Sequence, residues 1–153
     1  MDTPEHRMTE MGLILPAPVK VPDGLHIPFV PVNVRGDRAM FSGHPRHDHT
    51  GAIDGPYGRL GDDISTKEGY TAAQAIAVCV LANLKAELGE LSRIVGWTRV
   101  FGMVTSADGY HDQHLVLNGF SDMILQIFGP DVGRHSRSAI GVTNLPLGFA
   151  IEI

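Results

Sequence analysis

The C-terminal segment 133–153 constrains the fold more than any other part of this chain. It holds two runs of alternating side chains, and the connection between them contains Pro146 and Gly148. Alternation with a period of two indicates strands, because successive residues of a strand point to opposite faces of a sheet. In the first run, the faces are expected to be Ser138, Ile140 and Val142 toward the core, with Arg137, Ala139 and Gly141 on the opposite side. In the second run, Phe149, Ile151 and Ile153 form the apolar face, and Glu152 lies opposite.

A turn centred on Asn144 and Leu145 would join the two strands as a hairpin and place Arg137 roughly opposite Glu152. A guanidinium fork can bind a carboxylate with two hydrogen bonds, and a neighbouring carboxylate can orient water. The pair could therefore bind a carboxylate and hold a water molecule near it. The alternative is a structural ion pair across the sheet. The small side chains expected on the same face would leave room for a ligand or a neighbouring chain.

Two helices are predicted from apolar residues at helical spacing. The first begins with the capping box from Ser65 to Glu68, continues through apolar positions from Ala73 to Leu88, and ends at Gly89. The second covers Val116 to Ile127 and is stopped by Gly129-Pro130. Both apolar stripes are core-facing surfaces, so the two helices are expected to pack on a sheet.

The rest of the chain completes a ββ-α-β-α-ββ order. A short helix over 4–11 precedes a proline-rich, irregular arm, and strands are predicted at 30–34, 38–43 and 94–104, with a loop over 44–63 that holds a short strand at 59–60. This order predicts an α+β domain with a single sheet and two helices packed on one face. An N-terminal arm at 1–28 and a domain at 29–153 follow. The uncovered sheet face predicts an oligomer, in which identical subunits cover it.

Composition excludes several classes of protein. The 153 residues suit one domain, and a net charge of −5 disfavours nucleic acid, whose phosphates need concentrated Lys and Arg. No apolar run approaches the roughly 20 residues of a membrane span, and the N-terminus lacks the pattern of a signal peptide, so a cytoplasmic location is expected. Cys79 is the only cysteine, which excludes an intrachain disulfide and indicates a packing role.

The histidines raise the question of a metal site. His44, His47 and His49 lie in one loop beside Asp48, while His111, His114 and His135 are distant in sequence. No HExxH or paired metal spacing is present, so these residues are interpreted as loop histidines and neither metal nor cofactor is expected. His135 shares the face of Arg137 by parity and is a candidate for the same site. Ser138 has no evident base and is not expected to be a nucleophile.

Several motifs together resemble the reactive intermediate deaminase superfamily, also called the YjgF or endoribonuclease L-PSP family. They run from about Phe29 to the C-terminus: Phe41-Ser42-Gly43, Leu88-Gly89-Glu90-Leu91, Val100 to Val104, Asn118-Gly119, Arg137-Ser138-Ala139-Ile140-Gly141-Val142, Leu145-Pro146 and Ile151-Glu152-Ile153. Gly133-Arg134-His135 and the stretch from Asn118 to Asp122 are similar to a longer, mostly uncharacterised subfamily.

The resemblance implies a chorismate-mutase-like fold, assembled as a homotrimeric barrel with ligand clefts between subunits. It also implies cofactor-free hydrolysis of enamines and imines, such as 2-aminoacrylate, to 2-keto acids and ammonia. By this resemblance Arg137 grips the substrate carboxylate and Glu152 helps to hold the attacking water. Residues expected to line the cleft are Ser42, Gly43, Asn118, His135 and Phe29.

The chain departs from the deaminase pattern in three places. Phe29 stands where a tyrosine is usual, Ala139 replaces a cysteine, and Gly141 replaces an acidic residue. These changes alter the shape and polarity of the pocket and leave the substrate open. Two alternatives are a non-catalytic trimer that binds a keto acid or amino acid through Arg137, and an RNA-cleaving translation inhibitor, which the negative charge disfavours.

Overall fold

The structure, a computed structural model, describes residues 2–153. Its three helices are α1 (Pro4–Glu10), α2 (Thr66–Leu88) and α3 (Gln113–Val132). Its seven strands are β1 (Val32–Arg35), β2 (Arg38–Phe41), β3 (Arg46–His47), β4 (Ile53–Gly55), β5 (Arg99–Thr105), β6 (Ser136–Val142) and β7 (Ile151–Glu152). The loop predicted at 44–63 therefore contains a short strand pair, and Leu60 forms only isolated bridges, to Ile64 and Ser106.

Local signals in the sequence account for both long helices. The Ser65 hydroxyl accepts the Glu68 amide at 3.2 Å, and the Glu68 carboxylate accepts the Ser65 amide at 2.8 Å, which completes the predicted capping box. Gly89 ends α2 with a φ of 85°. In α3, Gly129 leaves helical geometry (φ 76°, ψ 171°), as the Gly-Pro signal predicts, although one more turn follows.

The C-terminal strands do not form the predicted hairpin. β5 lies between them, in the order β6-β5-β7, with β6 parallel and β7 antiparallel to β5. The helix α3 is the crossover between β5 and β6, and a helical crossover is the usual way to join parallel neighbours. The chain then crosses to the other side of β5 through a 3-10 turn over Pro146–Gly148. Arg137 and Glu152 are consequently not cross-strand partners.

The prediction of which β6 face is buried was also wrong. Residues paired across a ladder share a face, and Arg137, Ala139 and Gly141 pair with Val100, Gly102 and Val104, the buried side of β5. Ser138, Ile140 and Val142 point to the open face instead. The small residues sit under α3: Gln113 would contact a Cβ at Gly141 at 2.6 Å, and Leu117 one at Gly102 at 2.2 Å. The helix α3 therefore occupies the space directly over Gly102 and Gly141 on this face.

The single sheet that was predicted is divided: β5, β6 and β7 form one three-stranded sheet, while β1 with β2 and β3 with β4 form separate antiparallel pairs. Their pairing is not continuous, so the prediction holds only for an α+β domain with two long packed helices. The backbone of His44 exchanges hydrogen bonds with Ile153 (2.8 and 3.1 Å), which attaches the segment after β2 to the β7 edge. Rings of Phe41, Trp97, Phe120 and Phe128 pack edge to face or stacked, with neighbouring centroids 5.6–6.5 Å apart, between the sheet and α3. By length and hydropathy α2 could span a membrane, yet 56% of its most apolar window is buried in this core.

Candidate functional site

Arg137 is held by one face of α3. Its Nη1 group donates to Asn118 Oδ1 and Ser121 Oγ, both at 3.0 Å, and Nη2 donates to the His114 carbonyl at 3.2 Å. His114, Asn118 and Ser121 recur at i, i+4 and i+7, so one helical stripe provides all three acceptors. A guanidinium has five N–H donors, and these bonds use three of them. The Nε–H and one Nη2–H remain for a ligand.

His135 extends this group, which we call the arginine cluster (Arg137, Asn118, Ser121 and His135). The His135 ring lies 2.9 Å from Ser121 Oγ through Nε2 and 2.7 Å from the Gly133 carbonyl through Nδ1. His135 and Arg137 are two residues apart on β6 and its approach, so they point to the same side. The structure thus brings together three of the residues singled out in the sequence, Arg137, Asn118 and His135.

The charge of the arginine cluster is only partly balanced. Burial lowers the pKa of Arg137, while the nearby carboxylate of Asp122 raises it. Asp122 also accepts the Tyr70 hydroxyl at 2.7 Å, and that hydrogen bond raises the pKa of Tyr70. No salt bridge within 4.0 Å joins Arg137 to a carboxylate among residues 2–153. The arginine cluster therefore presents a half-buried cation with donors to spare, suited to a small anion.

Glu152 lies in a second group, the glutamate corner (Glu152, Gly43 and Ser42). A Cβ at Gly43 would lie 2.0 Å from Glu152 Oε1, so only glycine leaves space for the carboxylate in this position. The Ser42 hydroxyl donates to the Val30 carbonyl at 2.8 Å. Burial raises the pKa of Glu152. A carboxyl group with a raised pKa can serve as a general acid or base.

The arginine cluster and the glutamate corner lie on opposite faces of the sheet. Arg137 pairs with Val100 on the helix side, whereas Glu152 pairs with Met103 on the open side. The two residues are separated by two strand spacings and three residues along β5, which places their Cα atoms about 14 Å apart. One subunit therefore does not bring both to a single small substrate.

The remaining candidates do not join either cluster through side-chain contacts. Phe29 is 61% exposed and precedes Val30, whose carbonyl binds Ser42. No group of three His, Cys, Asp or Glu side chains in the described part of the chain could hold a metal ion. The prediction that His44 and His47 are solvated loop residues was wrong, because their side chains are buried, with 1% and 4% exposed. His49 is exposed.

Sequence reasoning missed Ser121 and Asp122. Both were visible in the stretch from Asn118 to Asp122, and helical spacing places Ser121 three residues after Asn118 on the same side of the helix. The sequence did not show that this side of α3 faces β6, because that contact depends on the parallel arrangement of β5 and β6. The spacing of Ser121 from Asn118 was the signal that could have identified it, because the two residues share one side of the helix.

Residues 5–151 match the family described as "YjgF/chorismate mutase-like, putative endoribonuclease". The chain is 35% identical over 147 residues to Protein TCP17 of Trypanosoma cruzi, covering 95% of this chain and 88% of that protein. Two crystal structures share 33% identity with it. One is the protein Atu1372 of unknown function from Agrobacterium tumefaciens (TM-score 0.83, covering 99% of this chain and 88% of that one). The other is a "putative endoribonuclease" from Shewanella oneidensis (TM-score 0.86, covering 98% and 95%).

Proposed function

Because this chain belongs to the YjgF/chorismate mutase-like family, we propose that it hydrolyses small enamines or imines that carry a carboxylate, releasing a 2-keto acid and ammonia. The observation that carries the proposal is the preorganised guanidinium of Arg137, fixed by three acceptors on α3 with donors left over. Such a group can hold a substrate carboxylate at little further cost in side-chain entropy.

The chemistry needs little beyond positioning. An imine carbon is already electrophilic, so attack by a water molecule held close to it is the central step. An enamine first gains a proton on its terminal carbon and loses one from nitrogen, which gives the imine. The water then adds to the imine carbon, and loss of ammonia from the resulting carbinolamine forms the keto group. A group that takes a proton from the water and returns one to the leaving nitrogen assists both stages. Glu152 has the raised pKa that suits this role.

We propose that the complete site forms between two subunits of a homotrimer. Arg137 and Glu152 face opposite sides of the sheet in one chain, so a site that uses both would take each from a different chain. The open face also carries apolar side chains, with Phe101 43% and Ile140 41% exposed. Contiguous exposed apolar groups favour association with another protein surface.

A turnover assay with the full chain tests this proposal. Ammonia and keto-acid release would be followed from 2-iminopropionate and 2-aminoacrylate generated in situ, with oligomer mass measured by light scattering. Loss of one charge-assisted contact of about 1.5–3 kcal/mol predicts a roughly ten- to hundredfold lower kcat/KM for Arg137→Ala. Arg38→Ala, an exposed arginine of β2, is the matched control. Absence of acceleration by the wild type refutes deaminase activity.

A second function rests on the same guanidinium. Without turnover, the cluster around Arg137 would still bind a keto acid or amino acid, and the protein would act as a small-molecule binding trimer. Calorimetric titration with pyruvate separates the two possibilities: binding without turnover supports the second, and loss of that binding in Arg137→Ala locates it. RNA cleavage, suggested by names in the family, is disfavoured by the net charge of −5.

A further inference from the structure

The hydrogen bonds of the arginine cluster have only one consistent direction. The Gly133 carbonyl can only accept, so His135 Nδ1 carries the proton in that bond. In the neutral ring, Nε2 is then an acceptor, and Ser121 Oγ lies 2.9 Å from it. Arg137 can only donate, and it donates to the same Ser121 oxygen at 3.0 Å. The Ser121 hydroxyl must therefore give its own hydrogen to His135.

This direction is the one that activates a serine. A nucleophilic hydroxyl needs a base within hydrogen-bond reach and a third group that orients the base. His135 is the base, and the Gly133 carbonyl fixes its tautomer. The guanidinium beside Oγ stabilises the negative charge that develops as the proton leaves. The side chains of Ser121, His135 and Arg137 are all only partly buried, so a small electrophile has access to the cluster.

We propose that Ser121 is an activated nucleophile with His135 as its base, and that together they form an acyl-transfer site for small esters or thioesters bearing a carboxylate. The carboxylate requirement comes from the two free donors of Arg137. This activity goes beyond imine hydrolysis and does not depend on it, because it uses neither Glu152 nor an imine substrate.

The step balances within these groups. Ser121 Oγ attacks the acyl carbon, its proton passes to His135 Nε2, and the carbonyl electron pair moves onto oxygen. Collapse of this intermediate breaks the bond to the alcohol or thiol, which takes the proton from His135. Water then attacks the acyl-serine in the same way, releasing the acid and restoring Ser121. Water is the only reactant besides the ester or thioester.

A fluorophosphonate probe tests the nucleophile directly on the full-length protein. Attack by Ser121 forms an O–P bond and expels fluoride, leaving an adduct that intact mass and peptide mapping can locate. We expect one adduct, on Ser121, and none in Ser121→Ala, a substitution that a helix tolerates well. His135→Gln keeps an acceptor for the hydroxyl but no base, and should slow labelling by about a hundredfold or more.

Ser138→Ala is the matched control, because Ser138 lies on the open face and its hydroxyl is bound by Arg99 at 2.9 Å. Labelling there should equal that of the wild type. Turnover of 4-nitrophenyl hemisuccinate should exceed that of 4-nitrophenyl acetate, and Arg137→Ala should remove the difference. No adduct in the wild type, an adduct on another residue, or an unchanged rate in His135→Gln overturns the proposal. Imine hydrolysis in a wild type that does not label would leave the proposed function standing and this one refuted.

Discussion

The contact between α2 and α3 at Gly119 yields a quantitative prediction. A Cβ at position 119 would lie 2.1 Å from the Tyr70 carbonyl oxygen and 2.9 Å from its carbon. Ordinary contacts begin near 3.4 Å, so Gly119→Ala must separate the helices by about 1.3 Å, the difference between 3.4 and 2.1 Å. The obstacle is the helical backbone of Tyr70, the fifth residue of α2, and backbone cannot rotate away as a side chain can.

The expected cost follows from two opposing terms. Alanine is favoured over glycine within a helix by about 1 kcal/mol. Overpacking a core costs typically about 1–3 kcal/mol, and occasionally more. Because the obstruction is rigid, we place Gly119→Ala at or above the upper end of that range, which leaves a net loss of about 2 kcal/mol or more in the free energy of unfolding.

Urea unfolding at fixed protein concentration measures this loss as a lower midpoint at unchanged m-value. Alanine substitutions at two other glycines provide a graded comparison of the loss in stability. Gly96→Ala meets nothing within 4 Å and should be close to neutral, whereas Gly69→Ala meets a Leu60 side chain at 2.7 Å, which can move, and should be intermediate. A Gly119→Ala protein as stable as the wild type would refute the reasoning.

Three other perturbations follow from the charges and caps. Burial raises the pKa of Glu152 above 4.5, so its contribution to stability is complete below pH 4.5 and is lost as pH rises through the raised value. Glu152→Gln should therefore gain stability relative to the wild type on going from pH 4 to pH 8 in urea titrations, and a constant difference would contradict this. Burial lowers the pKa of His44 below 6.5, so its contribution holds above pH 6.5 and falls as pH drops through the lowered value. Thermal unfolding of His44→Gln should show a shallower loss of stability on acidification below pH 6.5 than the wild type, and parallel curves would argue against that assignment. Ser65→Ala removes the capping box of α2 and should lower the free energy of unfolding, measured in urea, by about 1 kcal/mol. An unchanged urea midpoint would mean that the capping box contributes little to stability.

Local signals predicted the helices closely. The helix α2 begins after Ser65 and ends before Gly89, as expected, and Gly129 interrupts α3 where the Gly-Pro pair indicates. These features depend on backbone groups a few residues apart, so their partners are already present in the sequence. The beginning of α3 at Gln113 was missed, because its first turn has no side-chain cap.

The sequence predicted which residues of β6 share a face, but not which of the two faces the helices cover. Alternation correctly gave Arg137, Ala139 and Gly141 one shared face of β6. It could not say which face is covered, because a row of small residues suits an empty cleft and a closely packed helix equally well. The close contacts of α3 with Gly141 and Gly102 show that this row of small residues packs against the helix.

The pairing of β6 and β7 lies beyond the sequence for a similar reason. Nearness along the chain favoured a hairpin, but the crossover through α3 placed β5 between the two strands. That order separates Arg137 from Glu152 and turns them to opposite faces. By itself the sequence determined the helices, the strand periodicity and the residue types of the site, because these depend on neighbours along the chain. Only the tertiary structure decided which residues meet, because strand order and buried faces are set by packing between distant segments.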